Sequence, residues 1–279
     1  DWLLGNGIPL DLAADAGELS ILGLDEGESY RGGGDRLLRG GAAQLLDGVA
    51  PGLNVRLEAA VTRVERTSQG VTVTLAGGER LVADGCVLTA PLGVLKDDGI
   101  AFSPPLPSGM RRAVDRLGVG LLNKLVLRYP EASWEPGTQL GVIGSSIGRT
   151  IGVFDLQAVT GEPIVAAFTG AGYARALERR SDADVVAAVT GQLARGFGDA
   201  ARKPEGVQVT RWAADPWARG SYSFLPPGAS SRDREALARP AGRLVLAGEH
   251  TSVDRPATMD GALLAGRRGA QSLLGVLAP

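Results

Sequence analysis

The stretch that most limits what this chain can become is Arg243–Ala270, RLVLAGEHTSVDRPATMDGALLAGRRGA. Its apolar run, Leu244–Ala247, is short enough for a buried strand, and Gly248 and Glu249 lead from it into a polar loop containing Pro256. From Ala257 the pattern becomes that of a helix of about five turns. Gly261, Ala265 and Gly269 recur at i, i+4 and i+8, so one stripe of this helix is almost without side chains. Inside a helix glycine costs about 0.5–1 kcal/mol relative to alanine, so a bare stripe implies a close neighbour. The helix N-terminus, with unpaired N–H groups and the positive end of the dipole, is a natural seat for a phosphate or an electron-rich ring.

Composition narrows the setting. With 44% hydrophobic and 22% charged residues, the 279-residue chain has the make-up of a soluble globular protein of one large domain or two smaller ones. A net charge of -2 argues against nucleic acid or an anionic membrane as partner. No run of 18 apolar residues predicts a membrane span. The single cysteine, Cys86, rules out an internal disulfide and fits a reducing, cytoplasmic setting. One cysteine and one histidine, His250, cannot make a zinc site, so no metal is expected. No GxSxG elbow accompanies His250, which reads as structural rather than as part of a hydrolase triad. The opening DWLLGNGIPLDL lacks the basic start and long apolar core of a signal peptide.

Along the chain, Asp25, Glu26 and Glu28 form an acidic turn ahead of Gly32-Gly33-Gly34. The triple glycine follows no apolar strand and lacks GxGxxG spacing, so it reads as a flexible connection. A helix is predicted over 40–50, then short alternating strands at Asn54–Leu57, Val61–Arg66, Val71–Leu75 and Arg80–Ala83. Gly77-Gly78 marks a hairpin between the last two. Cys86–Ala90 reads as a strand buried on both faces, and a helix follows near Ser108–Leu117. Further strands are expected at Lys124–Tyr129, Leu140–Gly144, Thr150–Asp155, Ile164–Phe168 and Val207–Trp212. Ser181 and Asp184 resemble a capping box that opens a helix to about Phe197.

GEHTSVDRPATMDGALLAG resembles the C-terminal flavin motif of the FAD-dependent amine oxidases, nearest the branch of polyamine oxidases and lysine-specific histone demethylases. VTRWAADPWARGSYSF, VLTAPLGVLK and LGVGLLNKLVL resemble the same branch, and the resemblance runs from about Gly32 to the C-terminus. The resemblance implies an α/β fold: an FAD-binding parallel sheet with a β-meander, interleaved with a substrate domain of mixed sheet and helices. Residues 35–120 and 231–279 would form the FAD-binding part, and 1–34 and 121–230 the substrate-binding part. In the family the FAD domain starts with a βαβ unit bearing GxGxxG. That unit is absent from this sequence, so the parallel sheet is expected to be incomplete. The expectation is a portion of a split, processed or truncated oxidase, with a partner chain carrying the GxGxxG unit. Cys86–Ala90 and Leu244–Ala247 would then leave an apolar sheet edge.

The same resemblance assigns roles. Lys124, which simple alternation would turn to solvent, is placed beside flavin N5, where it holds a water and assists reoxidation by oxygen. Gly248 and Glu249 fall at the cofactor, with Glu249 hydrogen bonding toward its ribityl–pyrophosphate region. Thr258 and Met259 open the helix at the flavin pyrimidine edge, where a helix N-terminus stabilises developing negative charge. Trp217 and Ser221 lie against the flavin, and the backbone of Val61 grips adenine. Tyr222 is one wall of an amine cage whose second position is Thr258. Where monoamine oxidases carry a cysteine bonded to the flavin, this chain has Ser221, so FAD is expected to be non-covalent. A histidine common in the nearest branch is replaced by Asp260. The acidic turn, otherwise a solvated one, could draw a cationic amine.

The expected reaction is oxidation of a primary or secondary amine, polyamines among them. Hydride passes to flavin N5, and the products are imine or aldehyde, amine and hydrogen peroxide. Two alternatives stay open: a non-catalytic fragment or partner subunit of a split flavoprotein, and a related flavin enzyme such as a carotenoid desaturase or protoporphyrinogen oxidase. Nothing in the sequence resembles a chromatin-targeting module.

Overall fold

The computed structural model describes residues 7–27, 37–137, 139–142, 149 and 151–278. Glu28 and the triple glycine Gly32–Gly34 lie outside the described residues. In chain order the strands are β1 (Val61–Arg66), β2 (Val71–Leu75), β3 (Arg80–Ala83), β4 (Cys86–Leu88), β5 (Ala101–Ser103), β6 (Gly118–Val119) and β7 (Leu122–Arg128). They continue with β8 (Gln139–Val142), β9 (Ile151–Asp155), β10 (Ile164–Gly170), β11 (Gly206–Val209), β12 (Ser223–Phe224) and β13 (Leu244–Leu246). The helices are α1 (Ile8–Asp11), α2 (Ala43–Val49), α3 (Leu92–Lys96), α4 (Ser108–Arg116), α5 (Gln157–Thr160), α6 (Ala171–Glu178), α7 (Asp182–Phe197), α8 (Ser231–Ala238) and α9 (Met259–Leu277).

Two compact units divide the described residues. The first draws on 1–16, 30–57 and 121–212, the second on 17–29, 58–120 and 213–279.

The first unit is built on an antiparallel sheet in the order β11-β7-β10-β9-β8. Along β7, Asn123, Leu125 and Leu127 are buried while Leu122, Lys124 and Val126 are only partly so, the alternation of a strand with unequal faces. Leu125, Leu127, Val153, Val165 and Ala167 pack with Val185, Val189 and Leu193 of α7. That helix begins as the sequence predicts, with the Ser181 hydroxyl accepting the Asp184 N–H at 3.2 Å. Asn54–Leu57 is not a strand: Val55 and Leu57 are exposed and the segment joins no sheet among the described residues. Alternation alone does not make a strand when no partner takes up its backbone hydrogen bonds.

The second unit holds the meander and the strand–helix stretch with which the sequence reading began. Its sheet order is β3-β2-β1-β5, with β5 added parallel to β1. Gly78, at φ +84°, turns the chain between β2 and β3. Beside it, β4 and β13 run parallel with Val87 opposite Val245. The other edge of β4 pairs with no strand of the described residues. This strand is shorter than predicted and only partly buried, because one of its sides lacks a neighbour. The core gathers Val64, Val71, Leu92, Met110, Leu117, Leu237, Leu244 and Leu246. Each such side chain contributes about 1.5–3 kcal/mol by leaving water. Lys96, from the VLTAPLGVLK motif, donates to the carbonyls of Val114, Asp115 and Leu117 at 2.8, 2.8 and 2.9 Å. It thereby closes the C-terminal end of α4, where unpaired carbonyls attract a cation.

The bare stripe of α9 has its neighbour, and that neighbour is protein. Ala265 is fully buried, and a Cβ on Gly269 would lie 3.2 Å from both the Ala247 Cβ and Val87 Cγ1. A Cβ on Gly261 would meet the Arg255 carbonyl oxygen. This flank seats the helix on the β4–β13 pair and on the loop before it.

Candidate functional site

An apolar cavity of about 520 Å³ opens in the second unit. Its wall includes Val61 at the start of β1, the β4 edge through Thr89 and Ala90, Pro91 before α3, and Trp217. Val61 stands at an irregularity in register with β2, the kind of bulge that re-aims a residue at the rim of a site. Trp217 keeps 67% of its surface exposed, which a tryptophan serving only as core would not. Asp215 holds this corner by accepting the N–H groups of Trp217 and Ala218. The next residues are fastened to the 118–120 segment: Ser221 N–H donates to the Gly120 carbonyl and Gly120 N–H to the Tyr222 carbonyl, each at 2.8 Å.

Downstream of β13, Gly248 adopts φ +138°, and a Cβ there would stand 2.6 Å from His250. Only glycine suits that turn. It delivers Glu249, partly buried, whose carboxylate accepts from Ser223 N–H (3.1 Å), Ser223 Oγ (2.6 Å) and Ala257 N–H (2.8 Å). A carboxylate has about four acceptor positions, so one is left for a ligand. Thr258 caps α9 by accepting the Gly261 N–H at 3.0 Å while donating to the Arg255 carbonyl. The helix tip thus spends one N–H on its own threonine. Met259 is exposed beside it. Asp260 lies in the first turn, where the dipole favours an acid, 3.8 Å from Arg255. That position suits aspartate without any ligand.

Val61, Trp217, Ser221, Tyr222, Gly248, Glu249, Thr258 and Met259 all fall in the second unit, whereas Lys124 belongs to the first. Lys124 is partly buried on β7 opposite Phe168, its ammonium 5.8 Å from that ring's centre. Phe168 in turn meets Phe154 edge-on. Lys124 makes no salt bridge among the described residues.

Sequence reasoning missed two features here. Arg219 lines the cavity and pairs with Asp97 at 3.2 Å. Arg234, fully buried, holds Glu26, a residue expected to be solvated or to face an entrance. A buried arginine leaves no mark in a sequence pattern, because its spacing on α8 looks like that of a surface charge. His250 is as structural as expected. Burial, and then the charges of Arg234 and Arg268, push its imidazole down to about 4, so it is neutral at physiological pH. No described group of three His, Cys, Asp or Glu could hold a metal, and no described helix is long and apolar enough to cross a membrane.

These features agree with what comparison finds. The profile of the flavin containing amine oxidoreductases matches residues 10–274. The chain belongs to the flavin-containing amine oxidoreductase family. Within it, the chain is 36% identical over 98% of its length to lysine-specific histone demethylase 1 homolog 2 of Oryza sativa subsp. japonica, of which it covers 37%. It is 35% identical over 91% of its length to polyamine oxidase 4 of the same plant, covering 52% of that protein. Cyclohexylamine oxidase from Brevibacterium oxydans IH-35A shares the fold with a TM-score of 0.72 and 26% identity, over 85% of this chain and 53% of the oxidase. The chain thus spans about half or less of these family members.

The family cofactor is FAD, and the residues present fit part of it. An apolar cavity with an exposed indole and a carboxylate with an open acceptor position suit an aromatic ring system and a hydroxylated chain. The cavity wall does not suit a diphosphate: among the described residues Arg219 is its one cation, and it is paired with Asp97.

Proposed function

We propose that this chain supplies one part of an FAD-dependent amine oxidase acting on a primary or secondary amine, polyamines included. The observation that supports it most is the apolar cavity walled by Val61 and Trp217 in a chain of this family. When bound, FAD would accept a hydride at N5 from the carbon next to the amine nitrogen, giving an imine that hydrolyses to aldehyde and amine, with oxygen reduced to hydrogen peroxide.

The chain's own residues divide the work. Val61, Trp217, Ser221, Gly248, Glu249, Thr258 and Met259 hold the cofactor, the open acceptor position of Glu249 taking one hydroxyl. Ser221 has no thiolate to offer, so the cofactor is held without a covalent bond. Tyr222 and Thr258 bound the amine. Lys124 is the catalytic side chain: with no acid paired to it among the described residues, its donors can orient a water and favour reduction of oxygen. The FAD-binding domain is assigned to 35–120 and 231–279 and the substrate-binding domain to 1–34 and 121–230, with Trp217 and Ser221 of the latter also assigned to the cofactor and Thr258 of the former also to the amine.

A diphosphate is usually held by cations or a helix N-terminus, and among the described residues the cavity wall's one cation, Arg219, is already paired with Asp97. We therefore assign that task to a GxGxxG unit outside these 279 residues, on the same polypeptide or on a partner chain. The free edge of β4 could take its strand in parallel. The same feature favours a second reading, a non-catalytic fragment or partner subunit that binds FAD weakly or not at all. Co-producing the chain with a GxGxxG-bearing polypeptide of the family, adding FAD and following peroxide over a panel of amines separates the two. Peroxide that depends on both FAD and amine supports the oxidase. A yellow complex without turnover, or failure to bind FAD, supports the second reading and sinks the first.

A further inference from the structure

Arg234 of α8 has no exposure to solvent, and a fully buried guanidinium needs partners for every donor it carries. Nε and Nη2 take the two oxygens of Glu26, the latter at 2.9 Å. Nη1 donates to Ser223 Oγ at 2.6 Å and to the His250 carbonyl at 3.3 Å. Ser223 is itself 3% exposed. Its hydroxyl receives from Arg234, so its one proton can only go outward, to Glu249 Oε2 at 2.6 Å. That same oxygen accepts the N–H of Ala257, which sits at φ +60° immediately before the cap of α9. Arginine has no acceptor, so the direction of the chain cannot reverse.

We infer that Glu26 and Arg234 are positioning residues for Glu249. They polarise the Ser223 hydroxyl toward Oε2, the oxygen that also takes the Ala257 N–H, while the Ser223 N–H holds Oε1, and so fix which acceptor position remains open and where α9 begins. Glu26 of the acidic turn is therefore part of the support beneath Glu249. This inference rests on the proposed function insofar as Glu249 is to meet the cofactor, but the network itself is independent of any ligand.

The test uses the double variant Glu26→Leu/Arg234→Met, the single variant Ser223→Ala and the unaltered protein, each with its GxGxxG unit. Exchanging a buried ion pair for apolar side chains of similar size is often neutral for folding, so the double variant separates positioning from stability. Two quantities are read: hydrogen exchange of the Ala257 amide without FAD, and FAD affinity by flavin fluorescence. The expected result is Ala257 exchange at least about tenfold faster and FAD affinity about tenfold weaker in both variants, with exchange in β1 and β2 unchanged, since one charge-assisted hydrogen bond is worth about that factor. Unchanged Ala257 exchange in Ser223→Ala overturns the inference, even if the double variant fails to fold. If the unaltered protein binds no FAD, the proposed function fails, and exchange at Ala257 still decides the positioning role.

Discussion

Gly261 approaches the Arg255 carbonyl so closely that a Cβ would sit 1.7 Å from its oxygen, whereas Gly266, on the same helix, has nothing within 4 Å. Two glycines of α9 thus have opposite reasons for being there. Gly261→Ala must push a backbone carbonyl aside, and overpacking of this kind costs about 1–3 kcal/mol. Gly266→Ala only removes unfolded-state freedom and adds about 0.5–1 kcal/mol. Urea unfolding of the two variants should therefore shift the midpoint in opposite directions, and shifts of the same sign would contradict the packing described for this helix.

Gly93 in α3 is similarly confined. A Cβ there would lie 2.5 Å from the Arg219 carbonyl oxygen and 2.6 Å from that of Ala218. Gly93→Ala should displace the 217–219 corner and with it the indole in the cavity wall. The expected outcome is a changed tryptophan emission and FAD binding weakened about tenfold or more, on the scale of a lost aromatic contact. An emission spectrum and affinity equal to those of the unaltered protein would show that the corner tolerates the methyl.

His250 gives the protein a pH dependence of definite sign. Its folded value, about 4, lies below the ordinary 6.5, so the unfolded chain binds a proton that the folded one refuses between those pH values. Stability from this group is complete above pH 6.5 and falls as pH drops toward 4, by about 3 kcal/mol in all. His250→Gln, which does not titrate, should flatten that part of the stability–pH curve. An equally steep fall in the variant would mean that other groups cause it.

Lys124→Met should leave the first unit folded, because the ammonium pairs with no acid among the described residues and its aliphatic stem is retained in kind. Under the proposed function, amine-dependent peroxide release should fall about 10²–10⁴-fold, the usual worth of a positioned proton-handling group. Unaltered turnover would remove the role assigned to this lysine.

Much of the fold was legible before any coordinates. Val71–Leu75 buries its two ends, Val71 and Leu75, on one face, Ser181 with Asp184 announces a helix start, and the run from Ala257 shows helical period throughout. These signals are local, set by backbone geometry within a few residues. The same locality explains the failure at Asn54–Leu57, where the pattern of a strand occurs without a partner. It also explains why α3, α6 and α8 went unmarked: short helices whose faces are defined by what they pack on carry a weak period.

At the candidate site the division is sharper. The sequence by itself determined the family and the set of residues worth examining, because glycines, a tryptophan and a lone strand lysine at fixed spacings survive as a readable pattern. Only the tertiary structure decided that the bare flank of α9 seats on Val87 and Ala247, that Asp260 answers a helix dipole, and that Glu26 meets a buried Arg234 more than two hundred residues away. Hydrogen-bond partners of that separation are chosen by how the chain folds back on itself. No window of sequence contains both ends of such a bond, so nothing local could have disclosed it.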